Sequence, residues 1–339
     1  MKTRSTVLEG IKKINLIERD IAPALDQILV KTHSASICLA DVQMYRKGYY
    51  FYAKRSVKPD YPLFVGHETG GTVVAVGSRV HEYREGDRVI LMHSPRISGS
   101  ITPGGMSDYW VAHPMDVVPV PEGMDLNLAS LGETVCPFVS VVFRSGIKLG
   151  DTVAVTGANF IGQIIAQGLK KSGALSVTVI DNRDFRLDMA KKLGADHAIN
   201  STKADAYEAV MELTKGKGFD LVAQTAAYID PTVEEYMNLA TEIVRPMGIL
   251  VFQGDFLHSI TIENFQRWHH ESLDVRSVAF RHYTPQEIQV WTPDCLKVMH
   301  HELIKIRPLI TSTFPLEKVA EAFKLVDEDP DQLKVVLEP

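Results

Sequence analysis

The stretch GDTVAVTGANFIGQIIAQGLKKSGALSVTVIDNRD, residues 150–184, decides the fold. Its opening run TVAVTG is apolar almost throughout, as a strand buried on both faces of a parallel sheet requires. Gly157 then lets the chain turn, and an apolar helix is expected over residues 161–172. A second apolar strand is expected over 176–180. Gly157, Asn159 and Gly162 stand where a G-x-G-x-x-G turn places its three glycines. There the first glycine permits the turn and the third lets helix and strand pack closely. The helix start offers free N–H groups and a positive dipole end to a diphosphate. Asp181 follows Gly162 by 19 positions, where an acid accepts hydrogen bonds from the adenosine ribose. These features imply a dinucleotide cofactor. An acid repels a 2′-phosphate, so NAD is expected, while Arg183 and Arg186 keep NADP open. Asn159 breaks the motif. Asparagine tolerates positive φ better than most residues, so the turn is expected to survive with Asn159 in that conformation.

Working outward, further apolar strands are expected over 219–225, 248–254 and 275–280, with helical stretches between most of them. This alternation is the doubly wound α/β pattern of a Rossmann-type domain. Phe160 and Ile161 at the helix start, and Thr225 and Gly254 at strand ends, join the candidate cofactor contacts. Upstream of residue 150 the texture differs. Short β segments such as QILVKTHSASI and GGTVVAVGSRV are broken by Gly, Pro and Asp, which suggests a small barrel or sandwich. The tail reads as helices over 285–303 and 316–327 and a strand over 334–337. That strand has no partner in a sheet already complete at residue 280. It is expected to return to the first domain, giving a discontinuous domain of residues 1–134 and 283–339 around an insert of 135–282.

The bulk properties exclude several classes. A chain of 339 residues exceeds what one core usually supports. Its 45% hydrophobic and 23% charged residues are ordinary for a globular protein. The net charge of −6, without a basic stripe, argues against nucleic acid or an anionic membrane surface as a partner. No apolar run approaches a membrane span, and the first twenty residues lack a signal-peptide core. Three scattered cysteines fit a reducing cytoplasm better than a disulfide framework.

Metal-ligating residue types occur in the first half: Cys38 in SASICLADVQMY, His67 and Glu68 in FVGHETGGTVVAVG, and Glu133 in SLGETVCPFVS. Thiolate, imidazole and carboxylate all bind Zn²⁺, and three protein ligands with an open position is the catalytic arrangement. Each also has a plainer reading. A solitary cysteine is usually a small buried apolar residue, and His67 after a glycine can be a hydrogen-bonded turn residue. Cys136 is a minor rival ligand, and Cys295 reads as core. The histidine pairs 269–270 and 300–301 read as surface, and His93 is left undecided. The aromatics of MYRKGYYFYAKRSVKPDYP, residues 44–62, could line a substrate pocket or form a packed surface loop.

The order Cys-x-x-Asp, then Gly-His-Glu before a glycine-rich strand, then an acid ahead of the dinucleotide unit, resembles the zinc-containing medium-chain dehydrogenase/reductase family. YREGDRVI (83–90), GGMSDYWVAHPMDVVPVPEGM (104–124), AKKLGADHAIN (190–200) and RPLITSTFPLEKVAEAFKLV (307–326) are similar to that family too. The resemblance covers essentially the whole chain. It implies an α/β protein with a GroES-like, β-rich catalytic domain and an inserted Rossmann domain, usually a homodimer or homotetramer. It implies Cys38 and His67 as zinc ligands, Glu68 and Glu133 as further ligands or nearby acids, and Asp41 as the acid that orients His67. It places Arg186 beside the adenosine and Lys334 near the diphosphate, where Lys334 could also pair with Glu68. The activity implied is oxidation of a secondary alcohol of a polyol, sugar or cyclitol, or the reverse reduction.

Two departures qualify this. The four-cysteine cluster of a structural zinc is missing from ILMHSPRISGSITPGG (90–105), so one catalytic zinc per chain is expected. The hydroxyl residue that passes the alcohol proton outward is replaced by Ala40, and the histidine beyond it by Gln43. Glu133, a water chain, or one of Tyr45, Tyr49, Tyr50 and Tyr52 could substitute. A zinc-independent reductase of C=C or C=N bonds, and a non-catalytic NAD(P)-binding protein, therefore stay open as alternatives.

Overall fold

A computed structural model describes residues 1–48, 61–92, 104–226, 232–253, 259–278 and 284–339. The chain divides into two compact units. One comprises Met1–Cys136, Arg281–Glu302 and Ile306–Pro339; the other comprises Pro137–Phe280 and Leu303–Lys305.

Among the described residues, the first unit is built on a seven-stranded sheet. Strand Ile28–Ser36 pairs antiparallel with Glu68–Val76, Tyr109–Ala112 and Lys334–Glu338. Arg88–Leu91 and Val117–Pro119 extend it on one side, and Ile310–Pro315 closes the other, parallel to Lys334–Glu338. The C-terminal strand thus lies in the sheet of the N-terminal residues. Inward-facing Ile28, Val30, Val73, Val89, Leu91, Trp110 and Val117 fill one apolar core. A second forms where helices Leu39–Lys47 and Val319–Glu328 contribute Val42, Met44, Tyr45 and Phe323.

The second unit has six parallel strands in the order His197–Asn200, Ser176–Asp181, Thr152–Thr156, Phe219–Gln224, Val244–Phe252, Asp274–Ser277. Numbered along the sequence this is 3-2-1-4-5-6, the Rossmann order. The order reverses between Thr152–Thr156 and Phe219–Gln224, so ligands are expected at their carboxyl ends. Val153, Val155 and Leu221 are fully buried, as the apolar runs require. Helix Phe160–Lys171 begins one residue before the expected start, because Asn159 rather than Phe160 caps it. Among the described residues no helix is long and apolar enough to cross a membrane.

Candidate functional site

The metal-ligating residues converge in the first unit. Strand Ile28–Ser36 ends just before Cys38, which caps helix Leu39–Lys47. The Cys38 sulfur accepts the Ala40 N–H at 3.4 Å, and the Cys38 N–H donates to Asp41 Oδ2 at 3.3 Å. This reciprocal cap fixes the cysteine and aspartate together. Asp41 Oδ1 stands 3.4 Å from His67 Nδ1. His67 follows Gly66, whose φ of +104° and contact with Met106 leave no room for a side chain. Ligand atoms of Cys38, His67 and Glu68 all lie within 4.8 Å of one another.

Sheet register explains how a fully buried Glu68 is tolerated. Ser36 sits directly opposite Glu68, and its hydroxyl donates to Glu68 Oε2. Lys334, from the C-terminal strand, donates to the same oxygen at 2.7 Å and to the Ile37 carbonyl at 3.4 Å. Burial alone opposes ionisation of Glu68. The charges of Lys334 and His67 and the hydrogen bonds from Lys334 and Ser36 outweigh it, holding this carboxyl below its ordinary value. Glu68 Oε1 is buried with no hydrogen-bond partner among the described residues. An orphaned carboxylate oxygen beside a thiol and an imidazole is the donor set a zinc ion accepts, so these residues fit the metal. Burial, then the Glu68 charge, pushes the Cys38 thiol up to about 11, with His67 opposing.

Glu133 does not join that three-residue group. It is the second residue of helix Gly132–Arg144 and is buried. Its position in a first helical turn would favour a charge. Burial dominates instead and pushes its carboxyl up to about 7; Glu68 and Asp41 add to this, while His67 and Lys334 oppose it. Two buried glutamates thus sit in one electrostatic neighbourhood with opposite shifts.

Other expectations fall away. Tyr45 is packed in the core with its ring 5.5 Å from that of Phe323, so it is no substitute for the missing hydroxyl. The Cys295 thiol lies 3.8 Å from the Cys136 carbonyl, and both residues are fully buried. Cys136 therefore belongs to that pair and is absent from the metal-ligand group. Tyr49, Tyr50, Tyr52, His93 and Gly254 lie outside the described residues.

In the second unit the glycine turn is held from several sides. Gly157 has φ of +93°, and its N–H donates to Ile180 O at 2.8 Å. A Cβ on Gly162 would fall 1.9 Å from the Gly157 carbonyl oxygen, so only glycine fits there. Asn159 corrects the expectation of positive φ. Its φ is −66° and its ψ −176°, an extended conformation open to any residue. Its side chain explains its presence: Oδ1 accepts the Gly162 N–H at 3.0 Å, and Nδ2 donates to Thr225 O at 3.0 Å. The Thr225 hydroxyl donates to Gly157 O at 2.6 Å, so it braces the turn. Asp181 accepts the Ala158 N–H at 2.6 Å and the Arg183 N–H at 3.0 Å, and Arg186 lies 3.5 Å away. The turn, its two required glycines and the helix start fit a dinucleotide's diphosphate.

Two contributors escape a sequence reading. Ser36 acts only through its register opposite Glu68. Gln163 donates to Ala158 O at 3.0 Å and to Arg186 O at 2.8 Å, joining the turn to the next helix. Its polarity on the buried side of a largely apolar helix is the available signal.

The family model for the alcohol dehydrogenase GroES-like domain matches residues 24–122, and that for zinc-binding dehydrogenase matches residues 161–293. L-Threonine 3-dehydrogenase of Bacillus licheniformis is 30% identical, covering 90% of each chain. The chain belongs to the zinc-type medium-chain dehydrogenase/reductase superfamily. D-Arabitol-phosphate dehydrogenase of Enterococcus avium is 27% identical over 100% of this chain and 97% of its own. The solved alcohol dehydrogenase of Escherichia coli CFT073, complexed with NADH, is 28% identical with a TM-score of 0.84, covering 100% of this chain and 99% of that one. The chain is thus a GroES-like domain combined with a Rossmann domain, and an NAD(P)-binding oxidoreductase of the zinc-type family.

Proposed function

We propose that this member of the family is a zinc-dependent, NAD(P)-linked dehydrogenase that interconverts a secondary alcohol of a polyol, sugar or cyclitol with its ketone. The observation that carries the reading is the trio of half-buried Cys38 with buried His67 and Glu68, the Glu68 Oε1 having no hydrogen-bond partner among the described residues. The relatives named for L-threonine and D-arabitol phosphate support the class of reaction rather than one substrate.

Cys38, His67 and Glu68 would hold the zinc, which supplies Lewis acidity to the substrate oxygen. Asp41 Oδ1, 3.4 Å from His67 Nδ1, would orient the imidazole towards the metal. Lys334 and Ser36 hold Glu68 Oε2 and orient the carboxylate. Glu133, whose carboxyl burial pushes up to about 7 in the metal-free protein, would be the residue that takes the place of the hydroxyl that Ala40 lacks. Phe160, Ile161 and Gly162 open the helix that receives the diphosphate, with Gly157, Asn159 and Thr225 shaping its turn. Asp181 favours NAD, and Arg186 beside it leaves NADP as the alternative. The family resemblance further supports a cytoplasmic dimer or tetramer.

Metal analysis of the purified protein tests the reading. One zinc per chain is expected in the wild type, with metal and alcohol oxidation lost together in Cys38→Ser. Activity that survives complete chelation would instead favour the zinc-independent reductase, the reading that Ala40 supports.

A further inference from the structure

We propose that Asn159 is a positioning residue that selects which backbone N–H groups meet the cofactor's diphosphate. The inference rests on the reading of helix Phe160–Lys171 as the dinucleotide seat. A glycine at this position would serve only to let the ligand approach. Asn159 needs no such freedom, since its backbone is extended. It instead makes two side-chain bonds that no glycine can make.

The first bond occupies the Gly162 N–H, one of the donors that an unadorned helix start would present. The second ties the turn to Thr225 O, at the end of the neighbouring strand where the sheet order reverses. Two further donors of the turn are assigned. Gly157 N–H goes to Ile180 O, and Ala158 N–H to Asp181. The N–H groups of Asn159 and Ile161 find no acceptor among the described residues. The amide therefore withdraws the Gly162 N–H and leaves those of Asn159 and Ile161, on a loop braced by Thr225. An anion is directed towards the Asn159 and Ile161 N–H groups.

Replacements separate the two bonds. Serine keeps an oxygen for the helix cap but lacks a donor that reaches Thr225 O. Alanine removes both bonds. Aspartate keeps the shape, but sets an oxygen against Thr225 O and a negative charge beside the anion.

The test uses the full chain, with dissociation constants for NADH and ADP-ribose by calorimetry, for adenosine by ligand-observed NMR, and melting of the ligand-free protein. Asn159→Ala is expected to weaken NADH and ADP-ribose by roughly five- to tenfold, the equivalent of losing one cap. Adenosine, which has no diphosphate, changes by less than about twofold, within what a rim contact contributes. Asn159→Asp weakens the diphosphate ligands further, and Asn159→Ser recovers part of the loss. If the alanine variant does not fold, the aspartate and serine variants carry the comparison. Equal weakening of adenosine and ADP-ribose would mean a purely structural role and overturn the proposal. So would unchanged ADP-ribose binding in Asn159→Asp. A wild type that binds neither NADH nor ADP-ribose would remove the cofactor reading itself, and this inference with it.

Discussion

The metal-ligand cluster and the glycine turn solve opposite problems. The turn is nearly self-contained: residues 157–162, with Asp181 and Thr225, supply almost everything, and most bonds join neutral amides. The cluster draws on Ser36, Cys38, Asp41, His67, Glu68 and Lys334, several of them charged and buried. The turn is a matter of shape, set by which positions lack a Cβ. The cluster is a matter of charge, set by which partner the tertiary fold delivers. Local shape survives or fails with single atoms, whereas buried charge fails when a distant residue is removed.

That contrast can be broken most forcefully at Lys334. Lys334→Met leaves Glu68 buried without its cation, and should destabilise the metal-free protein by about 3–5 kcal/mol in urea unfolding. Adding Glu68→Gln should restore much of this. A single-variant cost below about 1 kcal/mol, the range of a surface pair, would show that charge balance does not govern the cluster. The sign with pH follows from Glu68 lying below its ordinary 4.5. Its contribution is complete above that value and disappears as pH falls through the lower folded value.

Glu133 sharpens the comparison within the same neighbourhood. Its folded value near 7 lies above the ordinary 4.5, so the native state retains a proton that the unfolded chain releases. Stability of the metal-free wild type should decline as pH rises from about 4.5 to about 7, by at most about 3 kcal/mol. Glu133→Gln should remove that decline in unfolding measurements across the same window. A wild-type profile parallel to that of the glutamine variant would refute the assignment.

The smallest stability effect is expected where shape rules. Gly162→Ala places a methyl against the Gly157 carbonyl oxygen and should cost about 1–3 kcal/mol. It should also abolish measurable NADH binding in calorimetry. Binding close to wild type would mean that the turn is more pliable than its contacts suggest.

The same contrast governs what could be read from the sequence. The Rossmann unit was legible because buried parallel strands are written as apolar runs and the turn as glycines at fixed spacing. The return of Lys334–Glu338 to the first sheet was legible because the other sheet was already full. Cys38, His67 and Glu68 were nameable by residue type and family resemblance, but their meeting depends on register and on a cap, which residue types do not encode. The sequence marks Asn159 as a substitute for a positive-φ glycine, whereas its role is a side-chain bond to Thr225 that cannot be seen from position 159 alone. Ser36 and Gln163 carried no signal beyond polarity. The opposite shifts of Glu68 and Glu133 follow from which cations burial leaves nearby, and spacing is silent on that.

Strand Lys334–Glu338 has a consequence for how the protein comes into being. Glu68 and the lysine that balances it are 266 residues apart. At about 10 residues per second, a ribosome takes roughly half a minute to bring the second after the first. Throughout that interval the central strand Ile28–Ser36 lacks a neighbour, and Glu68 has no cation to be buried with. The inserted Rossmann strands, contiguous in the nascent chain, can assemble before the sheet that precedes them. The domain begun first is thus completed last, with its half-made edge the part of the newborn chain most in need of a chaperone.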